Sequence, residues 1–93
     1  MKSIADTPEE YRLRILAEEC AELAQAALKV IRAKEHDTPI GEVEAGMHLA
    51  EESADVMLCI NQVLTKKQKQ FVDDLMKIKT ERWEQRLNDA KVL

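Results

Sequence analysis

Four carboxylates come in two pairs, Glu19 with Glu22 and Glu52 with Asp55, each pair three residues apart. They lie within near-copies of one stretch, LAEECAEL from Leu16 and LAEESADV from Leu49, offset by 33 positions. Residues three apart on a helix are neighbours on one face, so each copy presents a carboxylate pair. Two such helices packed side by side would gather four anions, which repel unless cations lie between them. Hard divalent cations take oxygen ligands, and Mg²⁺ in particular binds through few carboxylates plus substrate phosphates. The spacing therefore points to a Mg²⁺ site, with Mn²⁺ as a substitute, and to a phosphate substrate. The plainer reading is a set of solvated helix faces, since 18 residues of the chain are acidic.

Helices must position these groups. The chain has 93 residues, 34% of them charged, with three aromatics, two Gly and two Pro. A composition rich in Ala, Leu, Glu and Lys favours helix over a sheet sandwich. Thr7-Pro8-Glu9-Glu10 reads as a capping box with Pro in the first turn, and Thr65-Lys66-Lys67-Gln68 as a second box. These signals place helices over about Pro8–Lys34, Glu42–Leu64 and Lys66–Ala90. Thr38-Pro39 repeats the Thr-Pro start in the connection, where a short extra turn is expected.

At about 100° per residue, Leu16, Cys20, Leu23, Ala27 and Val30 form an apolar stripe on the first helix. Leu49, Ser53, Val56, Ile60 and Val63 form its counterpart on the second. The expectation is an antiparallel hairpin with Glu19, Glu22, Glu52 and Asp55 on the shoulders of the seam and Glu18 and Glu51 nearer solvent. Leu28, Met57 and Leu58 fall off both stripes. The fold class is thus all-α: one domain over residues 1–93, a helical hairpin plus a third helix, with a four-helix-bundle-like core completed by oligomerisation.

The pattern Glu18-Glu19-x-x-Glu22 followed by Glu52-x-x-Asp55 resembles the signature of the MazG-like, all-α nucleoside triphosphate pyrophosphohydrolases. AEECAELAQAALKVIR is similar to that family's first motif helix and LAEESADVMLCINQVL to its second, while the run from Lys79 to Leu87 resembles a basic third helix. Two departures stand beside the match: 29 residues separate Glu22 from Glu52, at the long end for the family, and the third helix lacks an Asn that some relatives use. The resemblance implies Glu19, Glu22, Glu52 and Asp55 as metal ligands. It implies catalytic roles for Glu18 and Glu19, the former either supporting the ligands from behind or orienting a water. The reaction implied is attack of water on the α-phosphorus of a (d)NTP, giving (d)NMP and pyrophosphate. Relatives assemble as dimers or dimers of dimers, which implies a homodimer or homotetramer here.

Basic residues that could hold the phosphates are Lys29, on nearly the same shoulder as Glu22, and Lys79, Arg82 and Arg86, which share one face of the third helix. His48, four residues before Glu52, has ligand spacing but suits a surface histidine, and His36 falls in the polar connection. Trp83 could stack on a base or simply pack. Cys20 and Cys59 fit no metal spacing or disulfide framework, so small core positions are expected for both. A net charge of −4 and the lack of a basic run argue against nucleic acid as a partner. No segment has the length and apolarity of a membrane span, MKSIADTPEE lacks a signal-peptide core, and the chain reads as cytoplasmic. Two rivals remain open: a non-catalytic helical interaction or nucleotide-binding module, and a di-iron carboxylate bundle. The latter would require Glu-x-x-His motifs that this chain lacks.

Overall fold

The structure, a computed structural model, describes residues 2–90. Among them are a 3₁₀ turn (Ile4–Asp6) and three helices, α1 (Glu9–Lys34), α2 (Glu42–Val63) and α3 (Lys66–Ala90), with no strand. The all-α class and the three helices therefore stand, with ends within a residue of those expected. The chain divides into two compact units, Met1–Val63 and Leu64–Leu93. No described helix is long and apolar enough to cross a membrane.

In the first unit, α1 and α2 pack as an antiparallel hairpin. At one end the Arg12 guanidinium Nη1 of α1 donates to the main-chain carbonyl of Gln62 in α2, at 3.0 Å. The connection opens with a left-handed C-cap: His36 has φ 58°, its N–H donates to the Ala33 carbonyl, and the Asp37 N–H donates to Arg32. This doubly bonded arrangement satisfies the last carbonyls of α1. Thr38–Ile40 bend without forming a helical turn, and α2 begins only after Gly41.

On α1 the seam departs from the stripe expected from sequence, whereas on α2 all five expected positions, Leu49, Ser53, Val56, Ile60 and Val63, are half-buried or buried. Among the described residues only Ala26, Ala33, Ala45 and Val56 are buried. Half-buried or buried positions on α1 include Leu16, Glu19, Leu23, Ala26, Val30 and Ala33, beside Arg12, Ile15 and Lys29; on α2 they include Ala45, Leu49, Glu52, Val56, Cys59 and Val63, beside Gly46, His48, Ser53, Ile60 and Gln62. The first six named on each helix are spaced alternately by three and four, the spacing of helices that keep one seam in contact over several turns, and the others flank them. Cys20 and Ala27, assigned above to the core, are exposed. Glu19 and Glu52 occupy the seam itself. Small side chains at Ala26, Ala33 and Ala45 permit close approach of the two helices.

The N-terminal cap also differs. Pro8 caps α1 without a side-chain bond, and the Thr7 hydroxyl instead donates to the Ile4 carbonyl at 2.6 Å. Asp6 accepts from the Ser3 N–H at 2.9 Å and the Ser3 hydroxyl at 3.1 Å, which holds its carboxyl below the ordinary value. The second capping box forms as expected: the Thr65 N–H donates to the Gln68 side chain at 2.9 Å, and the Gln68 N–H to the Thr65 hydroxyl at 3.1 Å. In the second unit α3 has no buried residue, and Phe71, Met76, Ile78 and Trp83 lie exposed along it.

Candidate metal centre

Glu19 and Glu22 stand one turn apart on α1, and Glu52 faces them from α2. One carboxylate oxygen from each of the three lies within 4.8 Å of the other two. A cation with oxygen ligands at roughly 2.0–2.6 Å holds any two of them no more than about 4–5 Å apart, so the triplet is already near ligand spacing. The seam phase explains this convergence: with Glu19 and Glu52 inside the helix contact, their carboxyls are forced toward one another.

The electrostatics reflect that crowding. The Glu19 carboxyl is raised above its ordinary value, first by burial and then by the charges of Glu22 and Asp55. The Glu52 carboxyl is raised by burial and by Glu22, with His48 partly opposing the shift. His48 Nε2 stands 3.8 Å from Glu52 Oε1, and the Glu52 side chain is only 13% exposed. One oxygen of each seam carboxylate, Glu19 Oε2 and Glu52 Oε2, is buried without a hydrogen-bond partner. Buried polar atoms are nearly always paired, and a carboxylate oxygen can be satisfied by a cation as well as by a donor. The residues present thus fit a hard divalent cation: all-oxygen ligation, two orphaned acceptors and a third, exposed carboxylate at Glu22.

Asp55 lies close enough to raise both seam carboxyls but outside the three-oxygen group. Glu18 is exposed and likewise outside it. Burial also raises the Cys59 thiol, followed by Glu19, Asp55 and Cys20, so the thiol stays protonated at neutral pH.

Next to the carboxylates opens a cleft of about 550 Å³, bounded by Glu22, Gln25, Lys29 and Arg32 of α1 and by His48 and Glu52 of α2. Its volume falls within the roughly 300–1,000 Å³ typical of small-ligand sites. Acids lie at one end and two cationic side chains farther along, an order suited to a ligand with both a metal-binding group and further negative charge. Lys29, expected from sequence, is therefore brought to the site. Arg32 was missed, although it lies three residues beyond Lys29 and helical phase alone could have found it. Gln25 was missed as well, and His48 was assigned to the bare surface. Lys79, Arg82 and Arg86 are exposed on α3 in the second unit. Compared with protein-family models, curated proteins and solved structures, the chain matches none.

Proposed function

We propose that the protein is a Mg²⁺-dependent nucleotide pyrophosphohydrolase, with Mn²⁺ as an alternative ion, that cleaves a (d)NTP to (d)NMP and pyrophosphate. The observation that carries this reading is the pair of orphaned seam oxygens, Glu19 Oε2 and Glu52 Oε2, beside a cleft that also holds Lys29 and Arg32. The acidic motif's resemblance to MazG-like enzymes supports the same chemistry. Glu19, Glu22 and Glu52 would hold the ion, with Asp55 next to them. When bound, the ion neutralises phosphate oxygens and acts as a Lewis acid on the phosphoryl group. Lys29 and Arg32 carry positive charge to the β- and γ-phosphates, where negative charge builds as the leaving group forms. Glu18 orients the attacking water and takes its proton. The new bond forms at the α-phosphorus, the α–β bridging bond breaks, and pyrophosphate departs.

The second reading, a helical interaction module, is favoured by one observation. Leu28, Met57 and Leu58 of the hairpin remain exposed by more than half of their surface. Faces of that kind suit a homodimer or homotetramer, which is compatible with the enzyme reading as well. The two free thiols, Cys20 and Cys59, suit a reducing, cytoplasmic compartment.

The test is incubation with a panel of ribo- and deoxynucleoside triphosphates and Mg²⁺, separating monophosphate and pyrophosphate from diphosphate and phosphate. Monophosphate with pyrophosphate is expected. No turnover with either Mg²⁺ or Mn²⁺ would move the assignment to the interaction module.

A further inference from the structure

A second cleft opens beside the carboxylate cleft, toward the connection between α1 and α2. It measures about 380 Å³ and is bounded by Lys29 of α1, Ile40 of the connection, and Glu44, Met47, His48 and Glu51 of α2. Lys29 and His48 also bound the carboxylate cleft, so the two spaces meet at these side chains. The volume falls within the roughly 300–1,000 Å³ typical of small-ligand sites. Hydrolysis of a triphosphate makes no use of this space.

The two clefts differ in charge. Beyond its acids the carboxylate cleft carries Lys29 and Arg32, whereas the second cleft shares Lys29, lacks Arg32 and is walled by Glu44 and Glu51. Both of these glutamates are exposed, so a ligand can reach them. A ligand whose second phosphate lies at Lys29 has two ways to continue. A further phosphate is drawn toward Arg32 and repelled by Glu44 and Glu51. An uncharged group with hydroxyl donors is favoured in the second cleft, because an ionised carboxylate only accepts hydrogen bonds and those it accepts are among the stronger ones. Ile40 and Met47 give the same space apolar surface for the C–H face of a ring. A quaternary ammonium group would instead call for aromatic walls, and no aromatic residue lines this cleft among the described residues. Glu44 precedes Glu52 by eight residues, about 12 Å along the helix axis, with His48 midway. Along α2 the order is therefore carboxylate site, border, second cleft, which is the order of reacting phosphorus, second phosphate and sugar in a nucleoside diphosphate sugar.

We propose that the second cleft binds the sugar of a nucleoside diphosphate sugar, and that the protein cleaves such compounds as well as triphosphates. The assignment rests on reading the carboxylate cleft as the site of nucleotide hydrolysis. Glu44 and Glu51 accept hydrogen bonds from sugar hydroxyls, Lys29 holds the β-phosphate, and the ring lies against Met47. Water bonds to the α-phosphorus and gives its proton to Glu18, as with a triphosphate. The bond from the α-phosphorus to the bridging oxygen breaks, and that oxygen leaves with the electron pair as part of the sugar phosphate. The products are a nucleoside monophosphate and a sugar 1-phosphate.

The experiment separates the sugar site from the reaction. Glucose 1-phosphate and methyl phosphate are both phosphate monoesters and differ in the sugar. Each is titrated in EDTA into the full chain carrying isotopically labelled methionine and isoleucine methyl groups, following Met47 and Ile40. Glucose 1-phosphate is expected to shift both signals and to bind about tenfold more tightly than methyl phosphate. Glu44→Gln with Glu51→Gln should bring the two esters toward equal affinity. With Mg²⁺, UDP-glucose should give UMP and glucose 1-phosphate. Equal binding of the two esters to the unmodified chain would overturn the proposal, as would shifts confined to residues outside the cleft or an unchanged affinity ratio in the double variant. Tighter binding of phosphoethanolamine than of glucose 1-phosphate would overturn it by assigning the acids to an amine. UDP-glucose left intact by protein that cleaves UTP would overturn it as well, with the triphosphate reading untouched. If glucose 1-phosphate is preferred as stated but no nucleotide is cleaved, the sugar site stands and the hydrolase reading falls.

Discussion

Ala26→Leu and Ala27→Leu make a paired test of the seam phase on which the metal centre depends. Ala26 is 1% exposed and borders the cleft, whereas its neighbour Ala27 is exposed. Leu and Ala both form helix well, so the local cost of either change is a few tenths of a kcal/mol at most. The difference between the two variants then comes from packing. At position 26 the added atoms have no room between closely approaching helices, and overpacking of this kind costs about 1–3 kcal/mol. For a domain of 60–100 residues each kcal/mol moves Tm by about 4–8 °C, so Ala26→Leu should lower Tm by roughly 4–24 °C. Ala27→Leu should stay within about 0.5 kcal/mol of the parent, as surface changes do. Thermal melts followed by circular dichroism at 222 nm read both. Widening the hairpin at position 26 should also weaken any Mg²⁺-induced rise in Tm, because Glu22 and Glu52 border the same cleft. Equal effects at positions 26 and 27, or a larger loss at 27, would refute the seam and with it the reason the three carboxylates converge.

The raised carboxyls of Glu19 and Glu52 fix the sign of a pH effect. A group whose folded pKa exceeds its unfolded value of 4.5 favours the fold fully below that value, and its contribution is lost as pH rises through the folded pKa. In EDTA, stability should therefore fall as pH climbs from about 4.5, and the double variant Glu19→Gln with Glu52→Gln should flatten that fall in denaturant titrations. His36→Gly relieves a left-handed residue, and Gly46→Ala adds a Cβ that meets nothing within 4 Å inside α2. Each should raise stability by about 0.5–1 kcal/mol, measured by urea unfolding. Arg32→Ala should raise KM for a triphosphate while leaving a Mg²⁺-induced Tm shift in place. Loss of that shift would put Arg32 in the metal site rather than on the phosphates.

The helices were readable because their signals are local. Thr65 and Gln68 sit at capping-box spacing and form the box, and apolar repetition marks α1 and α2 throughout. Thr7 shows the limit of such signals: its hydroxyl has a competing acceptor in the Ile4 carbonyl, made available by a 3₁₀ turn that the sequence reading did not include. Of the four carboxylates expected together, the structure groups Glu19, Glu22 and Glu52 and leaves Asp55 outside, and the burial of Glu19 and Glu52 was not readable. A stripe drawn at 100° per residue passes through Cys20 and Ala27, while the hairpin's three-four alternation shifts contact by one residue to Glu19 and Ala26. That shift is small in angle, yet it moves Glu19 from the shoulder into the seam, opposite the half-buried Glu52. Arg32 lies three residues beyond Lys29 and was within reach of helical phase, whereas the cleft that it shares with His48 and Glu52 depends on pairing across the hairpin, which the spacing of either helix alone does not encode.

Titration of Mn²⁺ into the full chain, read by the loss of the free ion's electron paramagnetic resonance signal, tests the metal centre most directly. The expected result is saturable binding that Mg²⁺ displaces and that is lost in Glu22→Gln, a change at an exposed position that leaves the fold intact. Such binding would also stabilise the folded chain, by about 2.7 kcal/mol at an ion concentration of 100 Kd. Linear, unsaturable uptake, or binding unchanged in Glu22→Gln, would mean that Glu19, Glu22 and Glu52 are acidic neighbours without an ion between them.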